Sequence, residues 1–263
     1  MTSRAPFIAP LSHAMSGSAA DAQPPQVYLV GAGPGDPNLL TLRALHLLQT
    51  TDVILPDDLV SDEILALATP SAEIIPVGKR CGQPRSTQSG IHDLMLHHTR
   101  LGKSVVRLKS GDPLIFGRAN EEIEFLRAHS IPFEIVSGIT AAFAVAASLQ
   151  TPLTDRTSAS KLILATAHHA PRNDPAKPGP PLWEGAFPAE STLVLYMPGR
   201  DFPTLTATLI ASGIPPETPV AAVSKASTPH EHVTLTTLAA LPISNPGPAP
   251  LILLIGKAIQ PTA

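Results

Sequence analysis

Short apolar runs alternate with stretches of helical period along the first half of this chain. Aliphatic and β-branched runs at 27–30, 52–56, 73–77, 104–109 and 133–136 predict strands. Helical patterns fall between them at 38–49, 62–68, 89–101 and 119–129. Asp36 at an N-cap position followed by Pro37 marks the expected start of the first helix. Regular alternation of this kind implies an α/β fold, with a mainly parallel sheet covered by helices on both faces. The second half opens with a small-residue helix at 140–149 and a strand at 162–166, then a loop rich in Pro, Gly and Asn at 170–188. The pattern resumes with a strand at 192–197, a helix at 203–212, a strand at 220–224, a short helix near 235–241 and a strand at 250–255. This second, separate α/β set divides the chain into two α/β domains, 27–138 and 139–260. The 30 prolines crowd the tail, the long loop and the C-terminal turns, so they punctuate the elements without interrupting them.

Composition narrows the class. A hydrophobic share of 43% and a charged share of 15% belong to a folded globular chain whose 263 residues suffice for one large core or two modest ones. A net charge of −3 gives no global reason to expect nucleic acid or an anionic membrane as partner, and no apolar run approaches the roughly 18 residues of a membrane span. The lone cysteine, Cys81, excludes an intramolecular disulfide and suits a reducing cytoplasm. Residues 1–26 lack a sustained period and read as a tail outside the fold, with Met15 as an alternative start.

Charge is concentrated locally. Between Lys79 and Arg118 eight basic residues face only Asp93 and Asp112, a local excess of +6, and an anionic small molecule is the expected partner of such a cluster. The segment 105–122 opens as a buried strand, breaks at Ser110-Gly111-Asp112-Pro113 and restarts as a helix. Its loop sits at the carboxyl end of a strand, where open α/β sheets bind ligands.

A second loop, Gly31 to Asp36, follows the first strand; its glycines, Gly33 among them, let backbone approach a ligand closely. Asp36 stands where a dinucleotide fingerprint needs Gly or Ala, and its charge would oppose a pyrophosphate. Asp57 and Asp58 end the second strand at the same edge, either to grip a ribose or to exchange a proton with a substrate. Adjacent residues on an extended chain point oppositely, so one of the pair faces the ligand, and Asp58 suits a cap or turn. Lys79 and Arg80 follow the third strand and suit anion binding or proton donation. His92, His97 and His98 fall at unhelpful helical offsets, and no metal site is expected.

Taken together, GAGPGDPNLLTL, VILPDDLVS, VGKRCG, VVRLKSGDPLIFGRANEE, VSGITAA, PLTDR and TLVLYMPGRD resemble the uroporphyrinogen III C-methyltransferases among the tetrapyrrole methylases, over residues 27–257. The resemblance implies two α/β domains with S-adenosylmethionine in the cleft between them, usually in a homodimer. It implies methylation of the macrocycle at C2 and C7 to give precorrin-2, a step of siroheme and cobalamin synthesis, with S-adenosylhomocysteine as by-product. Residue by residue, Pro34, Ser110, Gly111, Asp112, Ile115, Thr140, Ala141, Met197 and Ala226 match cofactor-binding positions. Asp57 matches a proton acceptor and Lys79 a proton donor. Gly33, Arg80, Arg107, Arg118 and Arg156 are the positions expected to meet a substrate that carries eight carboxylates.

The chain departs from the family pattern with Pro56 for tyrosine, Asp58 for arginine, Ser110 and Ala226 for glycines, Ser137 for proline and Asp155 for histidine. Serine at 110 would be strained if that position required positive φ. The competing readings are a nicotinamide-dependent oxidoreductase built on the glycine loop and Asp57, a related precorrin methyltransferase, and a non-catalytic tetrapyrrole-binding module.

Overall fold

Five strands build a wholly parallel sheet, and its three central strands are buried on both faces. The computed structural model describes residues 26–78, 87–167 and 185–259. The first sheet contains β1 (Val27–Gly31), β2 (Val53–Pro56), β3 (Glu73–Ile74), β4 (Val105–Lys109) and β5 (Phe133–Val136), in the order β3-β2-β4-β1-β5. Helices α1 (Leu42–Thr50) and α2 (Asp62–Leu65) cover one face; α3 (Gln88–Arg100) and α4 (Ala119–Ala128) cover the other.

The alternation along β4 sorts its side chains. Val105 joins Leu29, Leu55, Met95 and Leu126 in the core under α3 and α4, whereas Val106 and Leu108 join Leu48, Ile54 and Ile64 under α1 and α2. Each fully buried side chain of this size stabilises the fold by about 1.5–3 kcal/mol relative to exposure. Arg107 and Lys109 share the face of Val105.

The second sheet contains β6 (Lys161–Thr166), β7 (Ser191–Tyr196), β8 (Pro219–Ser224), β9 (His232–Thr237) and β10 (Leu251–Ile255), in the order β6-β7-β10-β8-β9. It is mixed: β6 and β7 pair in parallel, and the remaining pairs are antiparallel. Helix α5 (Ala141–Ser148) packs Ala142 and Val145 on one face against Val194, Val223 and Ile252. Helix α6 (Phe202–Ala211) packs Leu205 and Leu209 on the other.

Two elements differ from expectation. The cap at Asp36 heads only a 3-10 turn, Pro37–Leu39, where its Oδ1 accepts from the Asn38 N–H at 2.8 Å. Leu40 is extended, and α1 starts afresh behind Thr41, whose hydroxyl accepts from the Ala44 N–H at 3.2 Å. The helix expected near 235–241 is strand β9 up to Thr237. Val233, Thr234, Thr236 and Thr237 are β-branched and pair along β8, which outweighs the weak helical spacing of the leucines. Leu238 and Leu241 then turn into the core, the latter starting a 3-10 turn, Leu241–Ile243. Among the described residues no helix is long and apolar enough to cross a membrane.

Candidate active site

Three strands that lie side by side, β2, β4 and β1, deliver their following loops to one carboxyl edge. Two of these loops are fastened together. Gly33 and Gly111 form an isolated antiparallel bridge, with N–H to carbonyl distances of 3.1 and 2.7 Å in the two directions. Gly111 has φ +68°, a left-handed backbone that glycine adopts without steric cost. Ser110, by contrast, is not among the residues of positive φ, so serine is accommodated there without that strain. Ala226 is likewise free of it.

Asp112 ties in a third loop. Its Oδ1 accepts from the Leu114 N–H at 2.8 Å and its Oδ2 from the Gly138 N–H at 3.0 Å. At that crossing a Cβ on Gly138 would lie 2.2 Å from the Gly111 carbonyl oxygen, so only glycine fits. Two residues later Thr140 begins α5 without capping it; its Oγ1 lies 2.6 Å from the Tyr196 hydroxyl instead. That hydroxyl also accepts from the Ala142 N–H at 3.3 Å, and the Tyr196 ring tilts against Phe116 at 5.0 Å. Burial raises the Tyr196 pKa, opposed by the bond to Thr140, so the phenol stays protonated and able to donate.

The walls so fastened enclose a cavity of about 980 Å³ between the two sheets, at the upper end of small-molecule sites of about 300–1,000 Å³. Pro34, Ser110, Gly111, Asp112 and Ile115 line it from the first sheet. Thr140, Ala141, Met197 and Ala226 line it from the second half. All the positions singled out for a cofactor thus meet in one place. Met197 and Lys225, both on the wall, hold φ of 48° and 51°. Such left-handed backbone in non-glycine residues costs about 1–3 kcal/mol each and gathers at ligand sites.

Among the described residues, those singled out for substrate and proton transfer do not line this cavity. Lys79 and Arg80 lie outside the described residues. Asp58, not Asp57, is on the wall, its carboxylate packed over Gly78. Asp57 points to the α3/α4 side, a third of its side chain exposed, and its Oδ1 accepts from Arg107 Nη2. Gly33 lies one residue from the wall, in the bridge to Gly111.

Arg118, exposed, forms a two-bond pair with Glu121, both distances 2.7 Å, and Arg156 is exposed in the turn bridged by Asp155 and Ala159. Arg107 corrects an expectation outright. Its side chain is 3% exposed and its guanidinium is taken up by Asp57, Glu122 and the Leu55 carbonyl, which leaves no face for a substrate carboxylate.

Among the described residues the local basic excess also disperses. Lys103 pairs with Glu73 at 3.0 Å, and Lys109 is buried 3.0 Å from Glu122 Oε2, an ion pair rather than an aligned hydrogen bond to that atom. Burial, and then Arg107 nearby, lower the Lys109 pKa. Burial works against the Arg107 charge too, but Asp57 and Glu122 outweigh it and raise its pKa. Tyr196 and Arg200 on the wall are not marked by the sequence reading. Only Tyr196 carried a signal, as the aromatic residue directly before Met197.

Residues 26–242 match the family described as Tetrapyrrole (Corrin/Porphyrin) Methylases. The chain is 40% identical over 245 residues to an S-adenosyl-L-methionine-dependent uroporphyrinogen III methyltransferase, chloroplastic, of Arabidopsis thaliana, covering 91% of this chain and 65% of that protein. It is 47% identical over 217 residues to siroheme synthase 2 of Halorhodospira halophila, covering 82% of this chain and 43% of the relative. The chain thus spans less than two thirds of the length of these curated relatives.

Among solved structures, uroporphyrin-III C-methyl transferase of Thermus thermophilus complexed with S-adenyl homocysteine superposes with a TM-score of 0.72 at 34% identity, covering 89% of this chain and 92% of that one. A cobalt precorrin-4 methyltransferase gives 0.75 at 32% identity, with 89% and 96% covered.

Proposed function

The chain belongs to the tetrapyrrole methylases, and we propose that it methylates uroporphyrinogen III at C2 and C7, taking both methyl groups from S-adenosylmethionine and yielding precorrin-2. The observation that carries this reading is the convergence of Pro34, Gly111, Asp112, Thr140 and Met197 on one cavity between the sheets. The residues present fit such a cofactor. Backbone at Gly111 is open, with nothing nearer than the Thr140 Cα at 3.9 Å to a Cβ placed there. Ile115, Ala141 and Met197 supply apolar surface, and Ser110 and Thr140 polar groups.

The cofactor supplies an electrophilic sulfonium methyl, so the chain's task is alignment of a nucleophilic pyrrole carbon with it. Asp112 holds the loop after β4 in place through two backbone donors instead of taking part in the chemistry. Asp57, a carboxylate at the same sheet edge, serves as acceptor of the proton the macrocycle gives up, and Lys79 as donor. Arg80, Arg118 and Arg156 meet the substrate carboxylates, bidentate recognition for which the guanidinium fork is suited.

The exposed Val233 and Leu235 on the edge strand β9 support a homodimer, which sedimentation equilibrium would test. The lone cysteine supports residence in a reducing compartment such as the cytoplasm. The likeness to a cobalt precorrin-4 methyltransferase supports a second reading, a methylase acting on a precorrin.

Anaerobic incubation with uroporphyrinogen III and S-adenosylmethionine separates the two. Two S-adenosylhomocysteines per macrocycle are expected. Folded protein that turns over a precorrin but not uroporphyrinogen III would overturn the first reading in favour of the second.

A further inference from the structure

Isolated charges are not kept in a protein interior without partners, yet three charged side chains lie together under α4, each no more than 3% exposed. Lys109 Nζ lies 3.1 Å from Glu122 Oε1, and Arg107 Nε donates to that same oxygen at 2.9 Å. Arg107 Nη1 donates to the Leu55 carbonyl at 3.0 Å, and Nη2 donates to Asp57. The row therefore runs from the interior outwards as Lys109, Glu122, Arg107, Asp57, and Asp57 is the first member to reach solvent. Among the described residues Asp57 Oδ2 takes no hydrogen bond, so one carboxylate oxygen is clamped and the other is free.

We infer that Arg107, held from behind by Glu122, is a positioning residue that fixes the Asp57 carboxylate for proton acceptance during methyl transfer, a role that rests on the methyltransferase reading above. The planar guanidinium suits that role, because its donors are rigidly related. One bonds β2 two residues before Asp57 and another bonds the Asp57 side chain, so main chain and carboxylate are aligned by one group. Lysine could supply the charge but not donors held in that fixed relation. Stability alone does not call for the arrangement, since apolar side chains commonly replace buried ion pairs without loss.

The test is a double-mutant cycle of Arg107→Gln and Asp57→Asn in the full chain, with kcat and KM for uroporphyrinogen III and calorimetric affinity for S-adenosylhomocysteine. Asp57→Asn is expected to lower kcat by about 10²–10⁴-fold. Arg107→Gln should lower it by about 10–100-fold with KM and cofactor affinity within about twofold, and should cost little more once Asp57 is Asn. If that variant fails to fold, Arg107→Lys keeps the buried charge and reads the same comparison, with partial recovery of kcat expected. Additive losses in the double variant, or equal losses in kcat and cofactor affinity, overturn the positioning role while leaving the reaction intact. A wild-type chain that turns over no uroporphyrinogen III overturns the functional reading, and this role with it.

Discussion

Asp112 Oδ2 accepts the Gly138 N–H at 3.0 Å and so joins the loop after β4 to the loop after β5 across 26 residues of sequence. With Oδ1 on the Leu114 N–H, one carboxylate sets the shape of the cleft's first wall. Hydrogen bonds to a charged acceptor contribute about 1.5–3 kcal/mol each. Asp112→Asn turns one acceptor into a donor facing an N–H. It should lower Tm by about 4–8 °C and weaken S-adenosylhomocysteine roughly tenfold, in line with about 1.4 kcal/mol. Thermal unfolding and calorimetry check both; unchanged cofactor affinity would detach Asp112 from the binding wall.

The crossing beside it tolerates no side chain. Gly138→Ala puts a Cβ 2.2 Å from the Gly111 carbonyl oxygen and 2.8 Å from the Gly31 Cα, both backbone atoms. Overpacking costs typically about 1–3 kcal/mol, and here no flexible side chain can yield. The variant should lose stability at the top of that range or beyond, as measured by urea unfolding, and a loss under about 0.5 kcal/mol would mean that the loops can part.

Tyr196→Phe keeps the ring against Phe116 and removes the bonds to Thr140 Oγ1 and the Ala142 N–H. A net loss of about 1–2 kcal/mol in stability is expected. Because Thr140 and Ala141 line the cavity, cofactor affinity should fall severalfold. A calorimetric titration equal to wild type would show the start of α5 to be held by packing alone.

Stability should fall in mild acid. Burial is the largest cause that holds His92 and His98 below the ordinary histidine value of 6.5, outweighing nearby carboxylates. The unfolded chain then binds protons at higher pH than the folded one. Its contribution to stability is complete above 6.5 and is lost as pH falls towards the folded values. His92 stacks on Phe125 at 4.4 Å, so His92→Phe keeps the ring contact and removes the titrating group. Unfolding free energies between about pH 5 and 7 should show a shallower acid slope for the variant; a parallel slope would refute the assignment.

Glu122→Ala leaves Arg107 and Lys109 buried side by side without their shared carboxylate. Breaking a buried pair from one side costs about 3–5 kcal/mol, against much less for Glu122→Gln, which retains an acceptor for Arg107. Denaturant midpoints of the two variants give the comparison, and equal midpoints would deny the pairing its weight.

Much of this was readable from the order of residues. Period and β-branching locate most of both sheets, the glycine loop and 110–112 stand out as loops at strand ends, and Ile115, Thr140 and Met197 are marked by family resemblance. Such features are local, because a strand's pattern or a turn's glycine is dictated by neighbours within a few residues. Asp36 and β9 differ from expectation for a related reason: Thr41 offers a competing cap, and pairing along β8 overrides a weak spacing of leucines.

Which side of a strand Arg107 occupies follows from period 2, but what it meets there does not. Glu122 on the next helix and Asp57 just past the neighbouring strand stand 15 and 50 positions away, and only packing α4 on the sheet brings them to one guanidinium. The sequence by itself determined the elements and most of the cofactor wall. The tertiary structure alone decided which charges face the cleft and which are consumed inside, because burial and ion pairing are settled between segments and not within them.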